Sequence, residues 1–143
     1  MMRNSSFTSY VVADKYPMRE HQLYSTEEIR EYIAPFLKFC QQHLELDSMP
    51  RVTLVKKLGG MGDQPTFAYY NVQENSVRVS YENRHIADVQ RSLAHELVHA
   101  RQNKLGQLGR NSGKTGSPQE NEANSVAGEI MRMWAKKNPD LMK

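Results

Sequence analysis

The stretch that decides the fold is His95-Glu96-Leu97-Val98-His99, in which two histidines stand four residues apart. It lies in a run of helical periodicity, which predicts an α-helix from about Ala87 to Asn103. Residues i and i+4 of a helix lie one above the other on one face, so both imidazoles can reach a single zinc ion. The glutamate beside them is placed to take a proton from a metal-activated water.

The two sides of this predicted helix differ in polarity. One side carries apolar residues at helical spacing, namely Ile86, Val89, Leu93, Leu97 and Ala100. The opposite side carries both histidines together with Asp88, Ser92 and Gln102. The pattern predicts that one face packs on a core and the other borders a polar cleft. The alternative is a pair of solvated histidines, since short motifs also arise by chance.

Length and composition indicate one globular domain over residues 1–143. A chain of 143 residues can bury one modest core. Apolar residues make up 38% and charged residues 24%, which is typical of a folded domain and not of a disordered chain. The formal net charge of +3 is too small to favour nucleic acid as a partner.

Cysteine usage and hydropathy predict the compartment. The single cysteine, Cys40, excludes an internal disulfide framework and is typical of a reducing environment. No apolar run reaches the length of a membrane span, and Met1 to Asp14 lacks the apolar stretch of a signal peptide. We therefore expect a soluble cytoplasmic protein without membrane contact, with incorporation into a virion as the other setting.

The N-terminal part predicts an arm followed by a helix. The apolar residues of segment 1–24 show no helical or strand periodicity. We therefore predict an arm that is either loosely ordered or docked on the domain or on a partner. Ser25 opens a capping box for a helix that Pro35 should kink or split. The apolar face of that helix comprises Ile29, Ile33, Phe36, Leu37, Cys40 and Leu44. His43 near its end is interpreted as a partner of the helix dipole and not as a metal ligand.

Three strands and a last helix are predicted in the remainder. Alternating patterns predict strands from Pro50 to about Leu58, over Phe67 to Asn71, and over Ser76 to Tyr81. The second and third strands predict a hairpin, and Gly59 to Asp63 predicts a glycine-rich turn. The polar residues 104–117 predict a loop, either over the cleft or a plain linker. Ser117 and Pro118 open the last helix, which should end near Lys136 or Lys137.

A third zinc ligand is sought among Glu120, Glu122 and Glu129 of the last helix. Glu120 lies in the middle of the apolar side marked by Ala123, Val126, Ala127, Ile130, Met131 and Trp134, whereas the other two glutamates point nearly opposite. A carboxylate on an apolar face needs a partner, and zinc is one. Asn124, one turn on, is placed to hydrogen-bond a ligand histidine. Two alternatives stay open: Glu120 folds back on Ser117 as part of a capping box, or Glu122 is the ligand.

Two segments together resemble the gluzincin metallopeptidases: the H-E-x-x-H stretch at 95–99 and Glu120-Asn121-Glu122-Ala123-Asn124-Ser125-Val126-Ala127-Gly128-Glu129. The second is most similar to the E-x-E-A-N-x-x-A-x-E pattern of the ImmA/IrrE-type family, and small phage-encoded zincin-like proteins also look like this. The resemblance covers roughly residues 87–136. It implies a compact α+β zincin-like fold, with a small twisted sheet of about three strands on the histidine helix and a C-terminal glutamate helix. It implies His95, His99 and Glu120 as zinc ligands, Glu96 as general base, and Asn124 as support for a ligand.

The expected activity is zinc-dependent hydrolysis of peptide bonds in a protein or peptide substrate. A strand edge beside the cleft is suited to bind an extended peptide by strand addition. The candidate donors to the developing oxyanion are Tyr69, Tyr70, Tyr81, His85 and Arg110.

Two other interpretations remain. In the first, the chain is a structural or binding protein of a larger assembly, docked through Phe7, Tyr10 and Tyr16 of the arm. In the second, Lys104, Arg110 and Lys114 hold nucleic acid while bound proteins are cut, which the small net charge does not favour.

Overall fold

The computed structural model describes residues 10–12, 26–61, 64–109, 112 and 114–139. These residues form an α+β structure of three helices and six short strands, which confirms the predicted class. In chain order the elements are β1 (Tyr10–Val12), α1 (Thr26–Leu44), β2 (Arg51–Val55), β3 (Leu58–Met61), β4 (Gln64–Thr66), β5 (Ala68–Asn71), β6 (Ser76–Ser80), α2 (Ile86–Lys104) and α3 (Pro118–Lys137). The predicted cap at Ser25 and the arm outside β1 lie beyond the described residues.

Helix α1 runs without interruption through Pro35, so of the two predicted effects of this proline the split into two helices does not occur. Proline removes the hydrogen bond to the carbonyl four residues earlier, here that of Glu31. Both Pro35 and Glu31 are exposed, so water can reach that carbonyl. The apolar residues of the opposite face are all buried as predicted, and their packing holds the helix together: Ile29, Ile33, Phe36, Leu37, Cys40 and Leu44.

The main sheet has the strand order β1-β2-β6-β5, with β2 parallel to both β1 and β6 and with β5 antiparallel to β6. The three predicted strands are therefore present, and the predicted hairpin of β5 and β6 is confirmed. The sequence did not predict β1, which pairs with the outer edge of β2 through residues of the N-terminal arm. At the other edge lies β5, the strand nearest the histidine motif.

The glycine-rich segment after β2 differs from the prediction of a single turn. Leu58–Met61 forms β3 and pairs with β4 in a separate two-stranded sheet, and β2 ends at Val55 instead of continuing to Leu58. Among the described glycines only Gly106 and Gly116 have positive φ, so Gly59 keeps a backbone that a strand accepts. Only residues 62 and 63, which lie outside the described part, remain between the two strands.

Helix α2 lies at the centre of the structure and packs against α1, α3, β5 and β6. Val52, Leu54, Val77 and Val79 from the sheet belong to the same buried cluster as Leu93 and Leu97 of α2. The apolar side of α2 is buried as predicted, but its polar side is not simply open to solvent. His99 is 8% exposed and Gln102 is 1% exposed, because α3 packs over that side.

Two further features concern the reactivity of Cys40 and the length of apolar helices. Cys40 is a free cysteine in the core, and burial raises the pKa of its thiol far above the usual range. The thiol therefore stays protonated and packs as an apolar group. In the part of the chain that the structure describes, no helix is both long enough and apolar enough to cross a bilayer.

Candidate metal centre

Three side chains converge where α2 faces the start of α3. The Nε2 atom of His95 lies 3.2 Å from Oε1 of Glu120, and the Nε2 atom of His99 lies 2.7 Å from Oε2 of Glu120. One candidate ligand atom from each residue lies within 4.8 Å of the others. Donors bound at ~2.1 Å around a tetrahedral zinc ion are about 3.3 Å apart. The three residues could therefore hold one metal ion, and two imidazoles with one carboxylate are a donor set that zinc accepts.

Ser117 caps the backbone N–H of Glu120, while the Glu120 side chain faces the histidines. Ser117 is the N-cap of α3, and its hydroxyl oxygen accepts a hydrogen bond of 3.1 Å from the backbone N–H of Glu120. The carboxylate does not fold back on the Ser117 backbone but points to the two imidazoles. The capping geometry and the approach to the histidines therefore coexist.

The competing ligands lie elsewhere. The Oε1 atom of Glu122 accepts a 2.7 Å hydrogen bond from the amide of Gln102, and its other oxygen lies 3.8 Å from Arg101. Glu129 lies 3.7 Å from His43, which stacks on Phe39 at the far end of α1. Neither carboxylate joins the imidazole pair.

Gln102 holds the His99 ring, a role that the sequence reasoning missed. Its amide oxygen lies 2.8 Å from Nδ1 of His99, so it accepts a hydrogen bond from the Nδ1–H group. The Gln102 amide nitrogen donates to the carbonyl of Gln119 and to Glu122, which fixes which way the amide points. The Nε2 atom of His99 is then left with its lone pair toward Glu120. The spacing of three residues between His99 and Gln102 was the available signal.

The His95 imidazole is held in a similar way from α3. Asn124 hydrogen-bonds His95, which is the contact expected from its position one turn after Glu120. Burial lowers the pKa of His95, and the nearby His99 lowers it further, against the opposing effect of Glu120. A neutral imidazole keeps the lone pair that a metal ligand needs.

Glu96 is a buried carboxyl group beside these residues. Burial raises its pKa from the ordinary 4.5 to about 7, and the Glu120 carboxylate raises it as well. His99 and a hydrogen bond from the backbone N–H of Tyr70 act in the opposite direction. A carboxyl group with a pKa near the operating pH can both accept and return a proton, which is what a general base of hydrolysis must do.

In the metal-free protein, Glu96→Gln should raise the free energy of unfolding by about 3 kcal/mol at roughly pH 8, with little change at roughly pH 4. Because the folded state holds the Glu96 proton more tightly, this group's contribution is fully present below its unfolded pKa of 4.5. It is lost as the pH rises through about 7. His95, with its lowered pKa, acts in the opposite sense, so the variant must be compared with the wild type at each pH. Urea unfolding with a chelator present measures the difference, and an equal difference at both pH values would contradict it.

The cluster opens into a cleft between the β5 edge and the two helices. A cavity of about 400 Å³ lies on one side, lined by Ala68, Tyr69, Tyr70, Val72, His95, Glu96, His99, Leu108, Gly109, Ser112 and Glu120. A second cavity of about 600 Å³ lies on the other side, lined by Phe67, Ala68, Arg91, Ser92, His95, Glu96, Asn124 and Ala127. His95 and Glu96 border both cavities. Leu108, Gly109 and Ser112 show that the described part of the loop after α2 lies beside the cleft. Of the two predictions for this loop, a loop over the cleft or a plain linker, the first agrees with this position.

The structure separates the candidate oxyanion donors. The Tyr70 hydroxyl donates to Asn75 at 2.6 Å and accepts from Asn103 at 3.0 Å. His85 caps α2 with Nδ1, and Tyr81 is buried at 2% exposure. Arg110 lies outside the described residues. Tyr69 lines the cleft and is 40% exposed, so of the described candidates it is the one that reaches the cleft without a committed role.

The structure describes only some of the residues on which the assembly-protein and nucleic-acid interpretations depend. Lys104 forms an ion pair of 2.8 Å with Asp47, and Lys114 is exposed. Phe7 and Tyr16 lie outside the described residues, while Tyr10 begins β1 at the sheet edge.

Comparison of the chain with protein-family models, with curated proteins and with solved structures gives no match.

Proposed function

We propose that this chain is a zinc-dependent peptidase of the gluzincin type with a zincin-like fold, in which His95, His99 and Glu120 hold the metal. The observation that carries the proposal is the contact between Nε2 of His99 and the Glu120 carboxylate. Because Nδ1–H of His99 donates a hydrogen bond to Gln102, the lone pair of Nε2 faces the lone pairs of Oε2 of Glu120 at 2.7 Å. Such a contact is repulsive unless a proton or a metal cation lies between the two atoms.

A single cation suits the three residues better than protons do. A proton in the His99 contact would require an imidazolium ion at His99 or a protonated Glu120, and a second imidazolium ion at His95 would have its ring centre 4.9 Å from that of His99 in a largely buried site. Like charges at that distance repel, and burial already lowers the pKa of His95. One divalent cation would satisfy both imidazoles and the carboxylate at once, and this donor set is one that catalytic zinc sites use.

The proposed reaction assigns each remaining task to a residue of the chain. Zinc, when bound, supplies a Lewis acid that acidifies water and polarises a carbonyl group. Glu96 takes the proton of the attacking water and returns it to the leaving amine. Tyr69 is the proposed donor to the oxyanion, since its side chain reaches the cleft. Gln102 and Asn124 hold the two imidazoles in place.

The edge of β5 is the proposed track for the substrate backbone. The carbonyl of Phe67 accepts from Ser80 of β6, so the alternate residues Ala68 and Tyr70 direct their backbone groups away from β6. The Tyr70 N–H indeed reaches Glu96 across the cleft. An extended peptide laid along this edge would pass Glu96, and the exposed Phe67 and Val72 offer apolar contacts near its two ends.

Metal removal tests the proposal. The full chain loaded with zinc should cleave an unfolded protein such as reduced casein, lose that activity in a chelator, and regain it when one equivalent of zinc is restored. Cleavage is followed by the appearance of new amino termini. Activity that persists in the metal-free chain would contradict the proposal.

The same experiment separates the structural alternative. A chain that binds zinc tightly, cuts no protein and remains in a stable complex through residues 1–24 would be a component of an assembly, and the peptidase proposal would fall.

A further inference from the structure

Two arginine side chains lie beside Gly128 in the middle of α3, further along the helices from the candidate metal centre. The Nη1 atoms of Arg91 and Arg132 each lie 3.9 Å from the position that a Cβ atom on Gly128 would take. The two nitrogens are therefore within twice that distance of each other. Both arginines are exposed, and none of the ion pairs among the described residues includes either of them.

The two arginines lie further along the same contact between α2 and α3 that forms the candidate metal centre. Along α3, Glu120, Asn124, Gly128 and Arg132 follow at intervals of one turn; along α2, His99, His95 and Arg91 do the same in the opposite direction. Glu120 contacts both histidines, Asn124 contacts His95, and Gly128 lies next to Arg91. Arg91 is four to eight residues, or about 6–12 Å, along α2 from the two histidines, and Gly128, beside which both guanidinium groups lie, is eight residues, or about 12 Å, along α3 from Glu120.

The neighbouring cavity carries further positive charge. Arg91 lines the cavity on the His95 side together with Ser92. The guanidinium of Arg84 donates a 2.6 Å hydrogen bond to the Ser92 hydroxyl and lies over the ring of Phe67, another lining residue. The only acidic residue among the residues that line this cavity is Glu96.

Both guanidinium groups lie within ordinary contact distance of the Gly128 position. Glycine inside a helix lowers stability relative to alanine, and a Cβ atom here would meet only the two arginine side chains. Two guanidinium groups beside the same residue repel each other, and an anion bound between them stabilises both. A guanidinium group presents donors in the geometry that a carboxylate accepts.

We propose that Arg91 and Arg132 form a subsite for an acidic side chain of the peptide substrate. The inference rests on the proposed peptidase function and adds its substrate class: peptides that carry Asp or Glu near the cleaved bond. An extended chain advances ~3.3 Å per residue, so an acidic residue roughly 6–12 Å away stands about two to four positions from that bond.

The test uses the full zinc-loaded chain and two pools of labelled peptides. One pool contains Glu at a single fixed position and neutral residues elsewhere, and the other contains Gln at that position. Binding is measured by fluorescence anisotropy in the Glu96→Gln background, and kcat/KM is measured with Glu96 intact. We expect a preference of roughly tenfold for the Glu pool, which falls to about one in the double variant Arg91→Gln/Arg132→Gln.

A matched variant controls for net charge. Arg51→Gln/Lys57→Gln removes two exposed positive charges whose residues line neither cavity of the cleft, and it should keep the preference. Equal loss in both double variants, or no loss in either, would overturn the subsite. A single-stranded oligonucleotide that displaces the Glu peptides from the wild type but not from the arginine variant would instead assign the pair to phosphate.

The two proposals fail in different ways. If the wild type cuts peptides without preference for Glu, the peptidase function stands and the subsite is overturned. If no peptide is cut but the binding preference depends on Arg91 and Arg132, the subsite is supported and the peptidase function falls. Zinc content of each variant, measured in parallel, verifies that the metal centre is intact.

Discussion

Glu96→Gln is expected to bind zinc as the wild type does and to lose peptide-bond cleavage almost entirely. Glutamine keeps the size of the side chain but has no carboxylate to accept a proton from water. General-base catalysis contributes about 10²–10⁴-fold, so kcat should fall by roughly 10³-fold or more. The only other carboxylate that lines the two cavities of the cleft is Glu120, the proposed metal ligand, so no second base stands ready to replace Glu96.

The measurement compares single-turnover cleavage with zinc content in the same preparations. Glu129→Gln is the matched control, because Glu129 lies beside His43 and away from the cluster. It should keep both zinc and activity. Cleavage by Glu96→Gln at the wild-type rate, with zinc bound, would remove Glu96 from the mechanism.

Glu120→Ala is expected to lower zinc affinity by more than about hundredfold. Loss of groups that merely support a ligand costs roughly 10–100-fold in metal affinity, so loss of a direct ligand should cost more. The carboxylate contacts both His95 and His99, and its removal leaves two neutral imidazoles as the proposed ligands. Two ligands do not complete the protein part of a catalytic zinc site.

Isothermal titration with zinc, under competition from a chelator, measures this difference. Glu122→Ala is the informative comparison, because Glu122 contacts the Gln102 amide but neither imidazole. We expect this variant to lose about tenfold, since Gln102 keeps its contact with the Gln119 carbonyl. If Glu122→Ala released the metal while Glu120→Ala retained it, the ligand assignment would be wrong.

The local features of the three helices could be predicted because they depend on neighbours in the chain. Helix α3 begins after Ser117 and ends at Lys137, as its cap and the following proline indicated. Helix α2 begins one residue earlier than expected because His85 caps it with its own imidazole. The buried residues of α1 repeat every three or four positions, and that period is visible in the sequence.

The strands were predicted less completely. The hairpin of β5 and β6 is local and carries its own turn residues, so it could be predicted. By contrast, β1 is stabilised by its pairing with β2, which lies some forty residues further along the chain. Glycines in β3 weaken the strand signal, yet pairing with β4 holds this segment extended. Pairing partners override weak local preference in both cases.

By itself the sequence determined that two imidazoles share one helical face and that Glu120 lies on the packed side of α3, because both facts follow from helical period. Only the tertiary structure decided that the Glu120 carboxylate faces the histidines and not its own N-cap. It also decided that Gln102 is buried against His99 and that the side chains of Arg91 and Arg132 lie beside Gly128. These contacts depend on how α2 and α3 are aligned side by side. That alignment comes from burying Leu97, Ala123 and Ala127 together with the rest of the core.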